Sequence, residues 1–216
     1  MAQSNMQLIS IEKKRNKIIL KFNNAEDITI YYDVYLSFPL YKGDNISSEK
    51  IKKLQAANNE YEVKRSAFRY LSGRNHSYLE LKNKLKKKGF NIAIIEKVLD
   101  ELKEKKYLND FSFAENFVRN RIERKKEGIM KITSELFKKG IDREIIAEVT
   151  KGINNNPKNF NNALMLAKNK YEKLSKRNET ELRKIKGKLF NFLKSRGYTS
   201  DIIFKVFEKI IDNDEF

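Results

Sequence analysis

The sequence predicts a mainly α protein, with tandem three-helix repeats in an elongated array behind a small N-terminal antiparallel β meander. Three observations predict it. The first 35 residues are rich in β-branched and aromatic side chains. From residue 60 onward the apolar spacing becomes helical. Three glycines, Gly89, Gly140 and Gly197, then anchor a pattern that recurs along the rest of the chain.

Three segments read as strands: Leu8–Ile11, Lys17–Phe22 and Ile28–Tyr32. Polar stretches at Lys13–Asn16 and Asn23–Asp27 suit hairpin loops between them. Leu40–Asp44 reads as a turn, and Ser47 or Ser48 opens a helix expected to run to about Ala57. Next, Val63, Ala67, Tyr70 and Leu71 fall on one helical face and are expected in the core. Gly73–His76 forms a turn in which His76 is expected to be exposed. Ser77 and Glu80 have capping-box spacing, in which the serine oxygen accepts an otherwise orphan amide of the new helix.

The repeat emerges on aligning the three glycines. Four residues before each is a leucine: Leu85, Leu136 and Leu193. An apolar residue follows each glycine (Phe90, Ile141, Tyr198), then a helix-capping type (Asn91, Asp142, Thr199). Paired isoleucines come five and six residues after (Ile94-Ile95, Ile145-Ile146, Ile202-Ile203), and a valine nine after (Val98, Val149, Val206). Each column has a physical reason. Glycine ends a helix by taking a left-handed conformation, and the next apolar residue packs back on that helix. The isoleucines and valine give the following helix its buried stripe. Upstream of each glycine-linked helix pair another helix is expected, with an alanine near its start: Ala67, Ala114, and Ala163 or Ala167. Phe113 and Phe117 are further expected core residues. The expected organisation is therefore a β-rich extension with a linking helix over 1–59 and repeats over 60–109, 110–156 and 157–216, with Asn154–Pro157 at the last joint.

Composition narrows function. The chain has no cysteine and one histidine, which excludes disulfide staples, thiolate metal sites and cysteine nucleophiles and leaves little for histidine-based chemistry. No clustered Asp/Glu/His site for a metal and no phosphate-cradling glycine loop is apparent, so a binder is expected rather than an enzyme, with no cofactor. No signal peptide or membrane span is visible, and a cytoplasmic location is expected. The net charge is +17, and residues 61–216 carry 37 basic against 22 acidic side chains. Such a field draws polyanions, nucleic acid first or an acidic protein surface. A codon bias towards A and T produces a similar excess of lysine, asparagine and isoleucine.

Helix, glycine, apolar residue and second helix also outline a helix-turn-helix reader of duplex DNA. Such a reader needs donors at the start of its second helix. Here those helices carry Glu96, Asp100 and Glu101, then Asp142 and Glu144, then Asp201, which phosphates repel. Sequence-specific reading is disfavoured.

The whole pattern resembles the RecX family, the regulators of the RecA recombinase. The resemblance rests on Ala67, Tyr70-Leu71-Ser72, Arg74, Ser77, Glu80-Leu81, Leu85 and Gly89-Phe90 in the first repeat. In the second it rests on Leu108-Asn109-Asp110, Phe113-Ala114, Phe117-Val118, Arg121, Gly128, Glu135-Leu136 and Lys139-Gly140-Ile141. The third contributes Leu189, Leu193, Arg196-Gly197-Tyr198, Ile202-Ile203 and Val206, although its middle, Lys176–Lys184, is unusually long and polar. The resemblance implies a protein that docks in the groove of the RecA–single-stranded-DNA filament and impedes or disassembles it, modulating recombination, repair and the SOS response. The alternative is a helical repeat protein that binds nucleic acid non-specifically without RecA. A monomer is expected, with weak direct DNA binding of its own. Basic side chains at comparable repeat positions are the contact candidates: Arg74, Lys86, Lys87, Lys88, Arg121, Arg124, Lys125, Lys126, Lys138, Lys139 and Arg196.

Overall fold

The computed structural model describes residues 6–175 and 182–210. Among the described residues, those of 6–74 and 81–108 form one compact unit, and those of 75–80 and 109–210 the second.

In the first unit, strands β1 (Met6–Lys14) and β2 (Lys17–Phe22) form a hairpin around Arg15, whose φ of 55° suits a tight two-residue turn. β3 (Ile28–Tyr31) pairs antiparallel with β2, and the two-residue β4 (Asn45–Ile46) pairs with the far edge of β1, giving the order β3-β2-β1-β4. Leu8, Ile18, Leu20, Ile30 and Ile46 bury one face of this sheet against Ile51 and Leu54 of the first long helix. The third expected strand ends early, because Tyr32–Ser37 turn into a short helix, α1, that buries Val34.

Helix α2 (Ser48–Leu71) is capped by the Ser47 hydroxyl, which accepts from the Lys50 amide. It does not stop near Ala57. It runs on to Leu71, so the expected boundary at 59/60 falls inside a continuous helix. Ile51 and Leu54 serve the sheet, whereas Val63 and Ala67 are buried where α2 packs on α4. Nine residues separate Leu54 from Val63, about two and a half turns at 100° per residue. The two apolar stripes therefore lie on opposite sides of one helix, and the sequence mimics a break. Tyr70 and Leu71, expected in the core, are only half-buried at its end.

The three-helix pattern follows. α3 (Tyr78–Lys87) and α4 (Ile92–Glu104) complete the first repeat. α5 (Asp110–Asn120), α6 (Ile129–Lys138) and α7 (Arg143–Thr150) form the second. α8 (Pro157–Ser175), α9 (Leu182–Ser195) and α10 (Ser200–Ile210) form the third, whose residues 176–181 lie outside the described part. The repeat glycines have φ of +85°, +75° and +89°. Leu85, Leu136 and Leu193 are all fully buried, and the second isoleucine of each pair is buried, joined in the third repeat by the first, Ile202. Ala163 and Ala167 are both buried. Phe113 is core, and Phe117 packs against it part-exposed.

His76 departs from expectation: it is buried. The Ser77 hydroxyl donates to the Lys139 carbonyl at 2.8 Å and accepts from the Glu80 amide, while the Tyr78 amide donates to Asp110. These bonds, distant in sequence, draw the turn onto the C-terminal end of α6.

A backbone joint links the second and third repeats within the second unit. The Gly128 amide donates to the Arg196 carbonyl at 2.9 Å, and the Met130 amide to the Gly197 carbonyl at 3.0 Å. A Cβ on Gly128 would fall on the Gly197 carbonyl, so this approach is open only to glycine. The buried Tyr198 hydroxyl adds a 2.9 Å bond to the Lys126 carbonyl, and burial holds its phenol well above the usual range, keeping it a neutral donor.

Candidate nucleic-acid interface

Several lysines that composition alone would assign to a partner are neutralised internally. Lys64 and Lys105 both reach Glu101, Lys82 reaches Glu96, and Lys97 reaches Glu60, at 2.5–2.7 Å. The Glu101 carboxyl is held at about 2 by its bonds to Lys105 and Lys64. Glu96 and Glu101 of α4 thus serve the fold, which accounts for their presence where a DNA-reading helix would need donors.

In the first unit, Arg74 is exposed in the turn after α2. Lys86, Lys87 and Lys88 are exposed around the end of α3, where they also complement its C-terminal dipole. The Lys88 and Lys84 ammonium groups lie 5.2 and 4.7 Å from the Tyr70 ring centre. Lys88 further lines a half-open cleft of about 310 Å³ with Tyr31, Glu62, Arg65, Ser66 and Arg69. Arg65 and Arg69 were not among the sequence candidates. They lie outside the repeat columns, and the cleft wall they share comes from Tyr31, far upstream. Only their i, i+4 spacing, which puts both on one face of α2, was available as a signal.

In the second unit, α5 widens into a π-helical turn, Arg121–Lys125, that ends at Lys126 with φ of 53°. Arg124 and Lys125 project from this turn, while the Lys126 carbonyl is held by Tyr198. Arg121 is engaged elsewhere. Its guanidinium lies 2.5 Å from Glu135 and 3.3 Å from the buried Glu127, and 4.6 Å from the Phe117 ring centre. Glu127 in turn accepts Lys131 at 2.9 Å. This network shapes the turn that presents Arg124 and Lys125. Lys138 is exposed. Lys139 leans over Phe113 and Phe117 and lies 3.9 Å from Glu80. The Arg196 guanidinium lies 5.6 Å from the Phe192 ring centre, and its carbonyl carries the joint to Gly128.

Among the described residues no group of three or more His, Cys, Asp or Glu side chains could hold a metal ion, and no helix is long and apolar enough to cross a membrane.

The fold and these surfaces define a basic protein of tandem three-helix repeats with an N-terminal sheet. Sequence models for the first, second and third three-helix domains of RecX match residues 64–102, 109–149 and 158–207. A regulatory protein RecX of Clostridioides difficile is 31% identical over 95% of this chain and 95% of its own. That of Clostridium beijerinckii is 30% identical over 94% of this chain and 99% of its own. The chain belongs to the RecX family and is a regulatory protein of that family. A crystal structure of a regulatory protein RecX superposes with a TM-score of 0.73 at 20% identity, covering 96% of this chain and 99% of its own. The RecX of Lactobacillus salivarius gives 0.62 at 22% identity, over 71% of this chain and 97% of its own. Both share the fold.

Proposed function

We propose that this chain regulates the RecA recombinase by binding the RecA–single-stranded-DNA filament and impeding or destabilising it, so modulating recombination, DNA repair and the SOS response. The observation that carries this reading is the recurrence of cations beside each repeat glycine. Lys86, Lys87 and Lys88 precede Gly89, Lys138 and Lys139 precede Gly140, and Lys194 and Arg196 precede Gly197. A set of tandem repeats offers such groups repeatedly, which suits a partner that itself repeats, and a filament assembled on a polyanionic strand is one. Membership over nearly the whole length of its relatives supports the same reading. RecA supplies the ATP chemistry in this scheme, and the present chain binds.

Co-sedimentation tests it. Purified chain is spun with RecA filaments on single-stranded DNA, with the DNA alone and with RecA alone. Capture by filaments well above capture by naked DNA supports the proposal. Equal capture by filament and naked DNA favours the alternative, a nucleic-acid binder that acts without RecA.

A further inference from the structure

We infer that the cleft between the end of β3 and α2 is a phosphate site that takes one phosphodiester of a single-stranded nucleic acid. The inference deepens the filament reading by giving the chain its own grip on the strand. Three cations, Arg65, Arg69 and Lys88, line a recess of about 310 Å³ against one carboxylate, Glu62. Among the described residues none of the three is in an ion pair, in contrast to Lys64, Lys82, Lys97 and Lys105 in the same unit. Their charge is thus available to a ligand.

Two of the three, Arg65 and Lys88, are also held in place. The Arg65 guanidinium donates to the Tyr31 hydroxyl at 3.2 Å and lies 5.1 Å from its ring centre, with Lys17 at the same distance from that ring. Tyr31 is itself buried, and its amide donates to Asn58 at 2.8 Å, which fixes this wall against α2. Lys88 rests on Tyr70. Cations already ordered lose less freedom on binding.

The chemistry selects among anions. Two guanidinium forks, an ammonium and the Ser66 hydroxyl suit an oxyanion, and a phosphodiester, whose tetrahedral phosphorus spreads its oxygens in three dimensions, can meet donors from more directions than a planar carboxylate. The recess is set in a wall, so a flexible strand can dip one phosphate into it. A duplex, stiff over about 150 base pairs, cannot fold its backbone inward in the same way. The run Lys17, Tyr31, Arg65, Lys88, Tyr70 and Lys84, in which each ring carries two cations, continues the basic surface beyond the cleft.

The test uses the full chain without recombinase, so its failure and the failure of the filament reading are separable. Anisotropy of a labelled oligothymidylate is read over a range of salt for the parent and for Arg69→Gln with Lys88→Gln, both exposed positions. Arg65→Gln is made separately, because it touches buried Tyr31, and melting curves check every variant. The double variant should bind about tenfold more weakly or worse, with the log-affinity against log-salt slope reduced by about 0.7, one phosphate's share on a single strand. Unlabelled duplex should compete less well than oligothymidylate. Unchanged affinity and slope in the folded double variant would overturn the inference. Thymidine monophosphate competing as well as the oligomer, phosphate for phosphate, would replace it with a free-nucleotide pocket, and equal competition by duplex would overturn the single-strand preference.

Discussion

Replacing Gly197 by alanine tests the joint between the second and third repeats, and Gly89→Ala provides its internal control. The two glycines have nearly the same backbone, φ +89° and +85°, so both variants carry the same left-handed penalty, about 1–2 kcal/mol. Their surroundings differ. A Cβ at Gly89 meets nothing within 4 Å, whereas one at Gly197 would collide with the Lys131 amide and lie 2.9 Å from the Gly128 carbonyl. Opening the joint to relieve that overlap lengthens the Gly128–Arg196 and Met130–Gly197 hydrogen bonds, worth about 1 kcal/mol each. Gly89→Ala should therefore cost about 1–2 kcal/mol and Gly197→Ala about 3–4 kcal/mol. Urea denaturation reads the totals. Amide hydrogen exchange at Gly128 and Met130, the two donors that cross the joint, reads the local effect and should accelerate only in Gly197→Ala. Equal costs for the two variants, with both amides still protected, would refute the reasoning.

Leu136→Ala should destabilise by about 2–5 kcal/mol in denaturant titration, since the side chain is fully enclosed among Phe113, Ile132 and Ile146. Glu101→Gln should cost about 1 kcal/mol at neutral pH, two partly exposed ion pairs' worth. Its folded carboxyl is held at about 2 against an ordinary 4.5, so the ion pairs stabilise above about 4.5 and that stability fades as pH falls towards 2. Melting curves of parent and variant should accordingly converge across that window. Lys86→Glu, Lys87→Glu and Lys88→Glu together should weaken filament binding and flatten its salt dependence, by about 0.7 in slope for each phosphate no longer neutralised, while the reversed charges at the end of α3 lower stability by about 0.3–1 kcal/mol each, a loss that melting curves read separately. Unaltered filament binding would reduce these lysines to a solvated face.

The repeats were legible because each column has a local cause: a positive-φ glycine, a leucine one turn before it that must be buried, an isoleucine that opens the next stripe. What was hidden is tertiary. α2 reads as two helices because its apolar stripe changes sides between Leu54 and Val63. The first residue of α1, Tyr32, reads as strand because it continues the β-favouring run of β3, whereas the helix is anchored by buried Val34 with Tyr32 and Tyr35 packed beside it. His76 is covered through a bond from its neighbour Ser77 to Lys139, 62 residues on. The candidate contacts divide on the same ground. Lys86, Lys87, Arg124, Lys125 and Lys138 are exposed as a charge count suggests, but Arg121 faces Glu127 and Glu135. Arg65 and Arg69 gain their setting from Tyr31, a pairing no helical spacing encodes.

The most direct test of the regulatory account is the single-stranded-DNA-dependent ATPase of RecA, titrated with the purified chain. The account predicts that hydrolysis falls while the chain is still well below the RecA concentration, as capping or disassembly of a filament requires. Hydrolysis that falls only once the chain saturates the DNA, or does not fall at all, would contradict it.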